Sequence, residues 1–137
     1  MRVIKIDLLP FHYWLYVVYG ERAACHRYIC KKTGVSWDEN DALGNCYHPL
    51  GGAPYIWLPR TPRTPMEYGT LAHEAAHAVF FFIDTWVVER AGFNHDETFC
   101  HIVAYIIERA LEGKVISSTG HMPRRRRSKP ARSSALT

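Results

Sequence analysis

The chain has 137 residues, 47% of them hydrophobic, with four cysteines and a formal net charge of +4. That is enough for one domain with a substantial core and too little for two, and the best apolar run, residues 78–88, is too short to span a membrane and is interrupted by Asp84. The charge is local: six of the 17 Lys and Arg residues fall within residues 121–137 beside no acid, which leaves 11 against 13 acidic residues in the body.

Residues 3–8 alternate apolar and polar, and residues 12–19 are rich in aromatic and β-branched side chains. These predict two strands of a hairpin closed by Gly20. Residues 21–32 read as a helix that stops before Thr33-Gly34, and a polar loop spans residues 37–45. The segment PYIWLP, residues 54–59, predicts a short strand bracketed by prolines. Proline at both ends favours a sheet edge, where missing N–H groups do no harm. Thr64-Pro65-Met66-Glu67 combines an N-cap, a first-turn proline and a capping-box glutamate, and so announces a helix. A further helix opens near Asn94 and runs to Glu112, with Gly113 as its C-cap. The division expected is a domain over residues 1–117 and a basic, disordered tail over residues 118–137.

The four cysteines, Cys25, Cys30, Cys46 and Cys100, form no CxxC pair and no dense disulfide pattern. Cys25, His26, Cys30, Cys46 and His48 could be assembled into a structural zinc site, but their spacing fits no standard finger and cysteine is often simply buried. The opening residues are broken by Lys5, Asp7 and Pro10, which speaks against a secretory signal. A soluble, cytoplasmic protein with reduced thiols and no membrane contact is expected.

The chemistry concentrates in TLAHEAAHAVFF, residues 70–81. On a helix, residues four apart share a face, so His73 and His77 point one way and Glu74 sits beside them. This is the HExxH pattern, in which two imidazoles bind one Zn²⁺ and the glutamate acts as general base. The competing reading is a pair of core histidines in an apolar helix. A catalytic zinc takes three protein ligands and leaves one position for water. After the motif, candidates cluster in FNHDETFCH: His95, Asp96, Glu97 and His101. Glu97 also suits position N3 of a capping box opened by Asn94, a competing use of the same carboxylate. A helix unbroken to Ala91 would set Tyr105 or Glu108, and not Glu97, opposite the histidines. A site with Glu97 therefore requires the first helix to end near Asp84 or Thr85, where β-branched and aromatic residues weaken it.

Nineteen residues separate His77 from Glu97, a spacing that resembles the gluzincins, whose third ligand is a glutamate on a following helix. The layout also resembles small zincin-like metallopeptidases of phages and prophages, the matching residues being GTLAHEAAHAV and DETFCHIVAYI. The resemblance implies an α+β fold, a small zincin-like domain with a short antiparallel or mixed sheet, an HExxH helix and a following Glu-bearing helix. It implies one Zn²⁺ on His73, His77 and Glu97, with Glu74 catalytic. His101 departs from the pattern, since thermolysin-like enzymes carry an acid there and the phage proteins commonly a tyrosine. It stands as a rival ligand or, with Tyr105, a transition-state stabiliser.

The function expected is a zinc-dependent hydrolase, a metallopeptidase cleaving peptide bonds in a protein or peptide substrate that adds as a strand along residues 55–58. The alternative is a non-catalytic zinc protein of a phage, structural or interacting, in the host cytoplasm or on the virion. Arg124 to Arg127 would give either version a hold on nucleic acid or an acidic partner, through counterion release.

Overall fold

The computed structural model describes residues 1–8, 13–36, 42–86, 95–113 and 115–116, with backbone alone at 85–86, 95–97 and 115–116. Eight elements follow one another: β1 (Arg2–Leu8), β2 (Tyr13–Tyr19), α1 (Arg22–Thr33), β3 (Asn45–Tyr47), β4 (Tyr55–Leu58), α2 (Pro65–Trp86), α3 (His95–Glu112) and the two-residue β5 (Val115–Ile116). The sheet order is β3-β4-β2-β1-β5. β1 and β2 pair antiparallel from Arg2↔Tyr19 to Leu8↔Tyr13, while β2 and β4 run parallel from Tyr16↔Tyr55 to Tyr19↔Leu58. The sheet is therefore mixed and the fold is α+β, as expected from the sequence.

Period-two alternation assigns the side chains to two faces. Ile4, Ile6 and Leu8 of β1, Tyr13, Leu15, Val17 and Tyr19 of β2, and Ile56 and Leu58 of β4 form one core with Leu71, Ala75, Ala78, Val79 and Phe82 of α2 and Ile102, Ile106 and Ala110 of α3. The opposite face carries Val3, Val18, Tyr55 and Trp57, which pack with Tyr47 and with Cys25 and Ile29 of α1. Full burial of one such aliphatic or aromatic side chain contributes roughly 1.5–3 kcal/mol. The sheet is thus covered by α2 and α3 on one side and by α1 on the other.

The helix ends are chemically specified. The Glu21 carboxylate accepts from the amides of Ala23 and Ala24, both at 2.8 Å, and Gly34 closes α1 at φ 70°. At α2 the capping box forms in both directions, Glu67 N–H to Thr64 Oγ1 at 3.3 Å and Thr64 N–H to Glu67 Oε2 at 3.1 Å. Arg60 donates to the same Glu67 carboxylate at 2.7 Å. Gly113, at φ 60°, ends α3 with its amide 3.2 Å from the Arg109 carbonyl. The Tyr19 hydroxyl donates to the Ala110 carbonyl at 3.1 Å and so fastens the last turn of α3 to the sheet. Burial pushes the pKa of this hydroxyl up to about 12, partly opposed by Arg2.

One expectation is overturned. Residues 54–59 do not form an edge strand, because β4 lies between β3 and β2 and pairs with both. The prolines stand just outside the ladder and remove no donor from it. Pro54 even takes part through its carbonyl, which accepts the Tyr16 amide at 2.9 Å. All four residues of β4 are buried, and neither long edge is open to an incoming peptide. The outer strand on this side is β3, whose first residue falls in the loop predicted over residues 37–45. The predicted tail, residues 118–137, and Arg124 to Arg127 within it, lie outside the described residues.

Candidate metal centre

The HEAAH segment occupies the middle of α2. Leu71, Ala75, Ala78, Val79 and Phe82 face the sheet, so the intervening His73 and His77 turn outward and are exposed. They are not core histidines. Their rings meet at right angles, 87°, with centroids 4.7 Å apart and the two Nε2 atoms 3.1 Å apart. Without a cation between them, one Nε2–H must donate to the lone pair of the other. With a zinc ion at tetrahedral bond lengths, the two nitrogens would stand about 3.3 Å apart. The spacing and the nitrogen donors fit one divalent cation with little movement.

Glu74 behaves differently from its neighbours. It is 8% exposed and, among the described residues, the single buried charged side chain. Burial pushes its carboxyl pKa up, while His73, His77 and the backbone amide of Cys46 pull in the other direction. That amide belongs to β3, so the outer strand and the motif helix meet at the carboxylate. Gly44, just before β3, permits the approach: a Cβ there would stand 2.8 Å from Thr70 Cγ2, 3.0 Å from Leu58 Cδ2 and 3.2 Å from the Trp57 carbonyl oxygen. The Cys46 thiol is pushed far above its ordinary value by burial and then by Glu74, and it stays protonated.

The remaining sequence candidates are on α3. Glu97, His95 and Asp96 lie in its first turn, and their side chains are outside the described residues. Phe99 meets Phe80 with ring centroids 4.7 Å apart. This contact sets the level at which α3 passes α2: two residues beyond Glu97 on one helix, three beyond His77 on the other. α2 is described through Trp86, slightly past the end proposed at Asp84 or Thr85, and residues 87–94 lie outside the described residues. His101 is exposed on α3, and Tyr105 lies with its ring 5.2 Å from the Arg109 guanidinium carbon. Among the described residues no three His, Cys, Asp or Glu side chains form a group that could hold a metal ion.

His48, considered only as a member of a discounted second zinc site, belongs to this neighbourhood. Its ring lies on Phe81 with centroids 4.6 Å apart, and burial, then His77, push its pKa down. Cys46 packs on the α2 side of the sheet and Cys25 on the α1 side, so the sheet separates two cysteines that proximity in sequence might have grouped. Trp57 also faces α1, with its indole N–H 3.1 Å from the Gly20 carbonyl, and takes no part in the site. No helix among the described residues is long and apolar enough to cross a membrane. Compared with known proteins, the chain matches no family model, and no curated protein or solved structure shows significant similarity to it.

Proposed function

We propose that the chain is a zinc-dependent hydrolase, a metallopeptidase of the small zincin-like kind that its motif resembles. One observation carries the reading. Two outward imidazoles with converging Nε2 atoms at 3.1 Å flank a buried carboxylate on one face of α2. A carboxylate whose burial outweighs the pull of the Cys46 amide and the two histidines is costly, and perturbed acids of this kind concentrate at functional sites.

His73 and His77 would hold the cation, and Glu97, from the first turn of α3, is the third ligand we favour. The cation, when bound, supplies Lewis acidity towards a carbonyl and towards water. Glu74 accepts the proton from the attacking water and delivers it to the leaving amine. Its raised pKa brings its basicity towards that of a group that must both take and return a proton near neutrality. The Cys46 amide keeps the carboxylate in one orientation while it does so. Substrate would approach from the exposed side of α2, beside β3, and not along β4. The exposure of both histidines favours an open, catalytic site over the alternative of a closed structural zinc.

The direct test is metal content of the purified full chain. About one zinc per chain, lost in His77→Ala, is expected, with Glu74→Gln retaining zinc and losing peptide hydrolysis. A chain that takes up no zinc after reconstitution would reject the proposal, and hydrolysis persisting in Glu74→Gln would reject the role of the base.

A further inference from the structure

β3 is three residues long, and its alternation has a consequence for the residue that follows it. Tyr47 packs with α1, whereas Cys46 packs against the α2 side of the sheet. His48, next in the alternation, follows Cys46 to the α2 side, where its ring lies at 33° on Phe81. Phe81 is one helical turn beyond His77, so the imidazole of His48 is carried to the flank of the HEAAH segment from a different element. Its Nδ1 is buried and, among the described residues, has no hydrogen-bond partner.

Packing alone explains this poorly. A phenyl or isobutyl group would cover Phe81 equally well, without the roughly 1–3 kcal/mol penalty of an unsatisfied buried nitrogen. Such a group calls for an explanation, and an ordered water or a bound group at the site is one.

We propose that His48 is a ligand-binding residue of the metal centre: it donates a hydrogen bond to an oxyanion held beside His73 and His77, such as a carboxylate, a hydroxamate or the tetrahedral form of a peptide carbonyl. The inference rests on the metal reading above and adds to it a residue that precedes the motif. β3 then has two duties at the site, orienting Glu74 through the Cys46 amide and presenting a donor through His48. Phe81 fixes the plane of that donor and shields one of its faces from water, which strengthens a hydrogen bond to a charged acceptor.

The test uses the full chain loaded with Co²⁺, whose visible bands report the coordination sphere, titrated with acetohydroxamate. His48→Phe keeps an aromatic ring against Phe81 and removes the donor; His48→Gln keeps a donor without the ring. Both variants should bind one cobalt with the wild-type spectrum before ligand is added. Acetohydroxamate should then bind His48→Phe roughly 10- to 100-fold more weakly than wild type, the range for losing a hydrogen bond to a charged group. His48→Gln should recover part of the loss. Equal affinity in wild type and His48→Phe would overturn the proposal and leave His48 as packing. Altered bands or lost cobalt in both variants before ligand is added would also overturn it, by making His48 a metal ligand. A wild-type chain that takes up no cobalt would bring down the metal reading itself, and this inference with it, a result distinct from either of the others.

Discussion

α1 and α2 lie on opposite faces of one sheet and spend their residues in opposite ways. α1 buries only Cys25 and Ile29, and it is held by its ends, with Glu21 bonded to two amides and Gly34 in the left-handed region. Its polar side chains lie outside the core, Arg22 over the Trp57 ring and Lys32 over Tyr28. α2 contributes five residues to the main core, and yet it has a carboxylate 8% exposed in its centre, flanked by two histidines in mutual contact. In α1 every expensive group has a local structural purpose. At the centre of α2 three polar groups, His73, Glu74 and His77, gather beside one another and beside the Cys46 amide. That contrast sets a helix fixed by its ends beside one that gathers titratable groups at its centre.

The contrast can be tested by substitution. The largest effect should come from Phe82→Ala, which empties a fully buried position against Tyr13, at a ring-centroid distance of 4.7 Å. A loss of about 3–5 kcal/mol in denaturant unfolding is expected. Ile29→Ala under α1 should lose less, about 2–3 kcal/mol. If Ile29→Ala proved the more damaging, the main core would lie under α1 instead. Gly44→Ala comes next, since its Cβ would press on Thr70, Leu58 and the Trp57 carbonyl. We expect a loss of about 1–3 kcal/mol from overpacking, with metal uptake weakened as β3 is pushed from Glu74. Unchanged uptake in a destabilised Gly44→Ala chain would uncouple β3 from the site. Gly34→Ala should lose about 1 kcal/mol, a conformational penalty alone, because nothing lies within 4 Å of the added methyl. It should leave metal uptake untouched.

The smallest effect should have the opposite sign. Burial raises the Glu74 pKa above its unfolded value of 4.5, so the folded chain holds this proton more tightly than the unfolded one. The resulting stability is full below pH 4.5 and is lost as pH rises through the folded pKa. Glu74→Gln in the metal-free protein should therefore raise the melting temperature at pH 7 by a small margin. The gain should vanish at pH 4. A variant less stable than wild type at pH 7 would mean that the ionised carboxylate is well accommodated, and that α2 resembles α1 after all.

What could be read from the sequence depended on how local the signal was. The capping box at Thr64 and Glu67, the terminating Gly113 and the outward pair His73 and His77 each rest on residues three or four apart, and each is present in the fold. β3 was missed because three residues are too few to establish an alternation. β4 was taken for an edge because its prolines suggested a broken ladder; they stop at its ends, and only the pairing with β2 and β3 shows it to be central. His48 was set aside beside Cys46 for want of a metal-binding spacing. Its connection to His77 runs through the sheet, across an interval no local pattern reports. The side chain of Glu97 and the residues of the basic tail are outside the described residues, so those readings stand where the sequence left them.

The pairing of Val3 with Ile116 and Ile4 with Val115 joins strands from opposite ends of the described chain. Among the described residues β5 alone covers the outer edge of β1, and the Tyr19–Ala110 hydrogen bond fastens the last turn of α3 to the same sheet. Closing so distant a pair carries a large loop-closure entropy, and contacts of this range are associated with slow folding. An early-released chain would display a bare strand edge able to recruit another copy of itself. On this view the last turn of α3 guards the sheet against association with its own kind, a service independent of whatever α2 binds.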